Sequence, residues 1–469
     1  MGNLLSEPVT DKETEEGITV SGLSYAAFSM QGWRTHMEDA HICESYLSVK
    51  IPISKLINCA SAATIEHNRT CNGNKAGNPV SLPSTEEAYE IIVLQDHSVF
   101  AVFDGHGGTF AATFAGEHFV RVLTSRPTFQ EYAMLFRESQ KVDLEKAPRS
   151  DQEMSALKMK LYNLLDRSLR DAFYEVDKEL LSTTKQPRKN NNSRKRSIAL
   201  VGDEGAHQQQ KTEHNTSQSL EDIIREVVER SEEEEGSDEE DLNGETSCGS
   251  SGTTAVVVLI TPTQVLCANA GDSRAIFAKA KGRTVPLSYD HKPSDEYEQN
   301  RIVSAGGYVS NNRIDGDLAV ARGLGDFRFK SNMHLTLDMQ KVTALPDIIV
   351  QNRNVEEDEF IVIGCDGIWD VCTNADVVEI IHQIIDEGER SLGLVCEEVM
   401  DVCLMKGSKD NMTVVLVTLP GFKKFPAQGR MANHSNPEGG GVLARRQERA
   451  RLANEARQAK PVNQNRGSA

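Results

Sequence analysis

Apolar positions along this chain fall into two kinds of run. The first kind is short and nearly continuous: GLSYAAFSMQGWR (22–34), VFAVF (99–103), TTAVVVLI (253–260), QVLCANAGD (264–272), RAIFA (274–278), DEFIVIGCDG (358–367) and NMTVVLVTL (411–419). These runs are too short for buried helices and rich in β-branched and aromatic residues, so they predict strands. The TPT and GDS breaks inside 253–278 predict turns and an antiparallel meander. The second kind recurs at helical spacing. Phe110, Phe114, Phe119 and Leu123 form one such face, and Leu157, Leu161, Leu165, Leu169, Ala172, Val176 and Leu180 form a stricter one. Two more helices are predicted near 375–387 and 391–406, the second stopped by Gly407. Locally pairing strands with helices gathered in separate runs predict an α+β layered fold rather than a doubly wound sheet.

The pattern fails in three places. Residues 44–90 carry clusters of Asn, Ser, Gly and Pro and read largely as an inserted loop. Beyond Leu181, KQPRKNNNSRKRS, a Gln/His-rich patch and SEEEEGSDEED cannot bury a core, which predicts a disordered acidic insertion over about 184–246. Within it, SLEDIIREVVER, with Ser219 and Asp222 as a capping box, predicts one short helix. The last stretch, LARRQERARLANEARQ, reads as a solvated basic helix. The organisation is therefore an N-terminal segment (1–20), one interrupted domain (21–420) and a basic tail (421–469).

Charge sharpens this division. The net charge of the 469 residues is −19, but residues 201–247 alone carry sixteen acids against three bases, whereas 420–469 carry ten bases against three acids. Nine cysteines without a C-x-x-C pair fit reduced intracellular thiols rather than a disulfide frame or a zinc site, and no Cys is followed six positions later by Arg as in thiol phosphatases. The sequence has no apolar run of about 18 residues and no signal peptide, which argues against a membrane span or secretion. The N-x-T at Asn68 is then idle.

MGNLLSEP, with Gly2 and Ser6, fits an N-myristoylation pattern; a single acyl chain gives only weak membrane association, and an unmodified terminus is the alternative. Lys185, Arg188, Lys189, Arg194, Lys195 and Arg196 form a candidate nuclear localisation cluster, and Ser197, Ser231 and Ser237 are candidate phosphate acceptors. The expected location is cytoplasmic, nuclear or both.

The candidate chemistry sits where the strands stop. VFAVFDGHGG delivers Asp104, Gly105 and His106; AGDSR, GCDGIWD and SKDNMTV end on Asp272, Asp366 and Asp410; HMEDA adds Glu38 and Asp39. One carboxylate at a strand end is ordinarily a turn former. Several at one sheet edge cannot all stay ionised without positive charge between them, and hard divalent cations such as Mg2+ or Mn2+ suit oxygen ligands. Two such ions about 3.5–4 Å apart activate a bridging water and stabilise in-line displacement at phosphorus. Arg34 can fork onto phosphoryl oxygens, and His106 can protonate a leaving group.

GWRTHMEDAH, VFAVFDGHGG, SGTTAVVVL, NAGDSRA, DHKP, GGYVSNNRIDGDLAVARGLGDF, LPDI, IGCDGIWDV and KDNMTVVLV resemble, in order, the motifs of the metal-dependent serine/threonine protein phosphatases of type 2C. The resemblance implies a four-layer α/β/β/α sandwich of two antiparallel sheets, with two metal ions at one end. It also implies phosphoserine and phosphothreonine hydrolysis by a metal-bridging water or hydroxide, without a covalent phosphoenzyme. Asp104 resembles the ligand bridging both metals, Gly105 the carbonyl ligand, and Glu38, Asp366 and Asp410 the remaining ligands. Asp39 resembles an acid holding metal-bound water, while Asp272 resembles a weaker third-metal position, for which Asp370 is a second candidate with a cap of the turn after Trp369 as its alternative role. Arg34 matches the phosphate-binding arginine and His106 the general acid. Residues 291–330, with Arg313 and Arg322, resemble the flap beside the metals where protein substrates are discriminated. Arg274 reads as a structural partner of a carboxylate, and Thr253 and Thr254 as strand residues.

Substrates are then phosphoproteins, the acidic insertion either recruiting basic ones or remaining a solvated loop, and the chain is expected to be a monomer without direct nucleic-acid binding. A catalytically silent member of the family is disfavoured by the intact ligand set, and a nucleic-acid binder by net acidity.

Overall fold

The computed structural model describes residues 4–55, 88–141, 150–184 and 251–424. Gly2, most of the predicted loop, the acidic insertion with its basic cluster and capping box, and the tail beyond Lys424 lie outside the described residues.

The chain begins with β1 (Leu4–Ile18), β2 (Ser24–Arg34), β3 (Ala40–Glu44), β4 (Leu47–Pro52), β5 (Tyr89–Leu94), β6 (Ser98–Phe103) and β7 (Gly105–His106). Helices α1 (Phe110–Ser125), α2 (Pro127–Gln140) and α3 (Asp151–Thr183) follow. After these come β8 (Gly252–Thr253), β9 (Ala255–Ile260), β10 (Gln264–Ala270), β11 (Arg274–Lys279), β12 (Arg283–Pro286), α4 (Glu296–Ser304), the ribbon β13 (Val309–Ser310) and β14 (Arg313–Ile314), and β15 (Leu324–Gly325). The last elements are β16 (Asp347–Asn352), β17 (Asp358–Gly364), α5 (Asp366–Trp369), α6 (Asn374–Asp386), α7 (Leu392–Met405) and β18 (Met412–Thr418).

Two antiparallel sheets carry the fold. One has the strand order β1-β2-β18-β17-β11-β12, the other β16-β10-β9-β6-β3. Alternate residues of each strand serve different layers, as the two-residue period of a strand requires. Phe100, Val102, Val256 and Val258 meet Tyr25, Ala27, Phe277, Ile361 and Val415 between the sheets. The intervening Val99, Ala101, Phe103, Val257 and Leu259 pack outward against α1, α2 and α3 through Phe119, Phe129, Leu169 and Phe173. Phe28, Met30, Val362, Val414 and Leu416 pack the opposite way against α6 and α7 through Ile381, Ile385, Val395 and Val399. Helix, sheet, sheet, helix is the four-layer α+β order that the resemblance implies. Both sheets are covered on both faces, which is why their strands read as continuous apolar runs.

The structure departs from the sequence reading in three places. The predicted meander is split: β9 and β10 pair with each other, but β11 joins β17 and β12 in the other sheet. The GDS segment is thus a crossing between sheets, with Asp272 and Ser273 buried in it. The predicted loop 44–90 begins as a strand, since Leu47, Val49 and Ile51 are buried and pair with β5. Residues 4–18 extend the first sheet as an edge strand, with Lys12 reaching Glu397 (3.1 Å) and Asp401 (2.8 Å) on α7.

Candidate active site

Register brings the acids together. Ala40 pairs with Phe103, which sets Asp39 beside Asp104. Gly364 pairs with both Arg274 and Val414, and Met412 with Met30, so the ends of β2, β17 and β18 converge with their flanking Arg34, Asp366 and Asp410. Two threonines fix Asp104 itself. Thr253 Oγ1 (3.0 Å) and the Thr254 amide (2.9 Å) donate to its carbonyl, and its own amide donates to Thr254 Oγ1 at 3.3 Å. Gly107 and Gly108 adopt positive φ, 66° and 112°, where side chains are disfavoured. That turn aims the Gly108 amide at Glu38 Oε1, 3.0 Å away, while Asn411 Oδ1 accepts from the Glu38 amide at 2.9 Å.

Electrostatics shows the crowding. Burial pushes Asp104 well above the usual carboxylate range, and Asp366, Asp39, Asp272 and Asp410 push it further. Asp366 is raised in the same direction by burial, then by Asp272, Asp410 and Asp370. Burial raises Asp39 to about 6 against hydrogen bonds from Thr413 and Cys365. Thr413 Oγ1 donates to Asp39 Oδ2 at 2.7 Å.

Among the described residues, two permanent cations face these acids. Arg34 Nη2 lies 2.5 Å from Asp410 Oδ2, and Lys292 Nζ lies 2.5 Å from Asp272 Oδ2. They are too few for Glu38, Asp39, Asp104, Asp272, Asp366 and Asp410. Carboxylate oxygens left with excess negative charge have the donor chemistry that suits Mg2+ or Mn2+. Asp272, the predicted third-metal residue, is the one acid here with a lysine of its own.

The imidazole has a partner that the sequence reading missed. His106 Nε2 sits 2.8 Å from Asp326 Oδ2 and 3.0 Å from Oδ1. Burial alone would depress His106, but Asp326 outweighs it and holds the ring protonated above its ordinary range. Asp326 adopts a left-handed conformation (φ 52°, ψ 41°). It belongs to GLGDF, where an acid after two glycines was the available signal. Gly252 borders the pair; a Cβ there would collide with both Asp326 and His106. Lys292 was also missed, although it lies inside the quoted DHKP.

Arg322, placed with the substrate flap by resemblance, is buried instead. It binds Glu298 (2.6 and 2.9 Å) and Asp347 (2.9 Å), and Glu298 also meets Arg301. This network ties α4 to Asp347 at the start of β16. Arg313 remains exposed on the β13–β14 ribbon. Arg274 forks onto Asp290 at 2.8 and 2.9 Å.

One end of the two-sheet sandwich thus gathers a cluster of carboxylates, the Arg34 guanidinium and the His106–Asp326 pair. The family model of protein phosphatase 2C matches residues 192–412. "Probable protein phosphatase 2C 11" of Oryza sativa subsp. japonica is 31% identical over 441 residues, 92% of this chain and 94% of that protein. "Protein phosphatase ppm-1.A" of Caenorhabditis elegans is 30% identical over 420 residues, 90% of this chain, and this chain spans 64% of its length. The solved structure of a serine-threonine phosphatase 2C from Toxoplasma gondii shares the fold, with TM-score 0.50 and 19% identity over 89% of this chain and 98% of that one. The chain belongs to the protein phosphatase 2C family and is a protein phosphatase by class.

Proposed function

We propose that the chain hydrolyses phosphoserine and phosphothreonine in proteins by direct attack of water, with no covalent phosphoenzyme. Glu38, Asp104, the Gly105 carbonyl, Asp366 and Asp410 would hold two Mg2+ or Mn2+ ions, and Asp272 is the candidate for a weaker third. Bound there, the ions supply an activated water and neutralise charge on the phosphoryl group. Arg34 is half-exposed at the rim of the acids and offers a fork to the phosphoryl oxygens. Asp39, held by Thr413, would orient water. His106, kept charged by Asp326, delivers a proton to the departing serine or threonine oxygen.

The observation that carries this reading is the convergence of Asp104, Asp366 and Asp410 with Arg34 and the His106–Asp326 pair. Phosphopeptide hydrolysis should require Mn2+ or Mg2+ and vanish with chelator. Turnover that survives chelation would overturn the reading.

The strongly acidic stretch 201–247 supports a preference for basic phosphoproteins, through long-range attraction that salt screens. Deleting it should leave turnover of a small phosphate ester unchanged and lower kcat/KM on a basic phosphoprotein at low salt. An undiminished rate on that protein would refute recruitment.

A further inference from the structure

A second group of ligand atoms lies away from the acid cluster, on the open edge of the sandwich. Strand β1 is the edge of one sheet and β3 the edge of the other. Glu15 on β1 pairs with Ala27, and His41 and Cys43 on β3 pair with Val102 and Phe100. Directly paired residues of neighbouring strands share a face, and Ala27, Val102 and Phe100 all belong to the layer between the sheets. A carboxylate, an imidazole and a thiol are therefore aimed into the mouth of the gap between the sheets, from both sides.

Their ligand atoms, one from each residue, all lie within 4.8 Å of one another, with His41 Nε2 at 3.4 Å from Glu15 Oε2. Glu15 is half-exposed and His41 partly so, which leaves a path for an ion from solvent. Oxygen, nitrogen and sulfur donors at this spacing suit a borderline-soft cation that accepts four ligands, the fourth being water.

We propose that Glu15, His41 and Cys43 form a Zn2+ site, distinct from the Mg2+ or Mn2+ centre, that clasps the two sheets together at their open edge. Binding takes Cys43 as its thiolate, the thiol proton passing to buffer. The clasp also bears on the catalytic end, because Asp39, His41 and Cys43 alternate along one face of the same segment. Fixing His41 and Cys43 to β1 fixes the strand that carries Asp39.

The test uses the full chain with Mg2+ in large excess, so that the oxygen-rich centre is filled by the hard ion. The wild type should take up a Zn2+ ion, and Co2+ in its place should give the absorption band of a thiolate-bound cobalt. Cys43→Ser should abolish that band. Glu15→Gln, which alters a half-exposed side chain and cannot unfold the core, should weaken Zn2+ by more than the about tenfold to hundredfold that losing an outer partner of a metal ligand costs. Should Cys43→Ser fail to fold, Glu15→Gln alone decides. No cobalt–thiolate band in the wild type, an unchanged band in Cys43→Ser, or wild-type zinc affinity in Glu15→Gln would overturn the proposal.

Discussion

Asp104→Asn should lower phosphopeptide turnover by about 10³-fold or more, because several kcal/mol of charge stabilisation by bound cations is at stake. The same substitution should make the metal-free protein more stable at neutral pH. The sign follows from the direction of the shifts. Burial, then neighbouring aspartates, raise Asp104 and Asp366 in the folded state above the roughly 3.9 of an unfolded aspartate. A group so raised contributes stability that is fully present below about pH 4 and is lost as pH climbs through its folded value.

For Asp39, raised to about 6, that loss spans about pH 4 to 6, and Asp104, raised in the same direction, adds to it. Thermal melts of the metal-free chain should therefore fall as pH rises, more steeply for the wild type than for Asp104→Asn. Added Mg2+ should restore the wild type and do little for the variant. Wild-type turnover in Asp104→Asn, or equal pH slopes for the two proteins, would count against a cation-binding cluster.

The second large effect concerns the leaving group. His106→Ala should slow hydrolysis of phosphoserine peptides by about 10²–10⁴-fold, the usual range for losing a general acid, while barely slowing an activated aryl phosphate. Equal losses on both substrates would remove the imidazole from that role. Asp326→Asn supplies the independent arm. With Asp326 at 2.8 Å the ring holds its proton above the ordinary histidine range. Losing that charge should move the alkaline limb of the kcat profile to lower pH, leaving the acid limb in place. A limb that does not move would mean that another group sets it. Gly252 shows how closely the pair is built, since a Cβ there would meet both side chains.

Much of this architecture was readable beforehand because it follows from local periodicity. β9, β17 and β18 lie within the runs AVVVLI, DEFIVIG and MTVVLVT, and the helix predicted over 391–406 runs from Leu392 to Met405, with Gly407 at φ 99° just beyond it. The site acids were visible as polar junctions at strand ends. Asp326 and Lys292 were less visible, because their partners come from other parts of the chain and neither lies at the end of an apolar run. The misplacement of β11 has the same origin: a short turn after β10 looks alike whether the chain folds back within one sheet or crosses to the other.

The amino-acid order thus determined which segments become strands and helices and which face of each is apolar, since those follow from spacings of two and about 3.6 residues. It also determined the kinds of side chain available at the strand ends. Tertiary structure alone decided which ends meet, that Asp326 reaches His106, that Lys292 takes Asp272, and that Glu15 faces His41 and Cys43. Such contacts depend on long-range strand register, which is settled only when both faces of both sheets are buried at once.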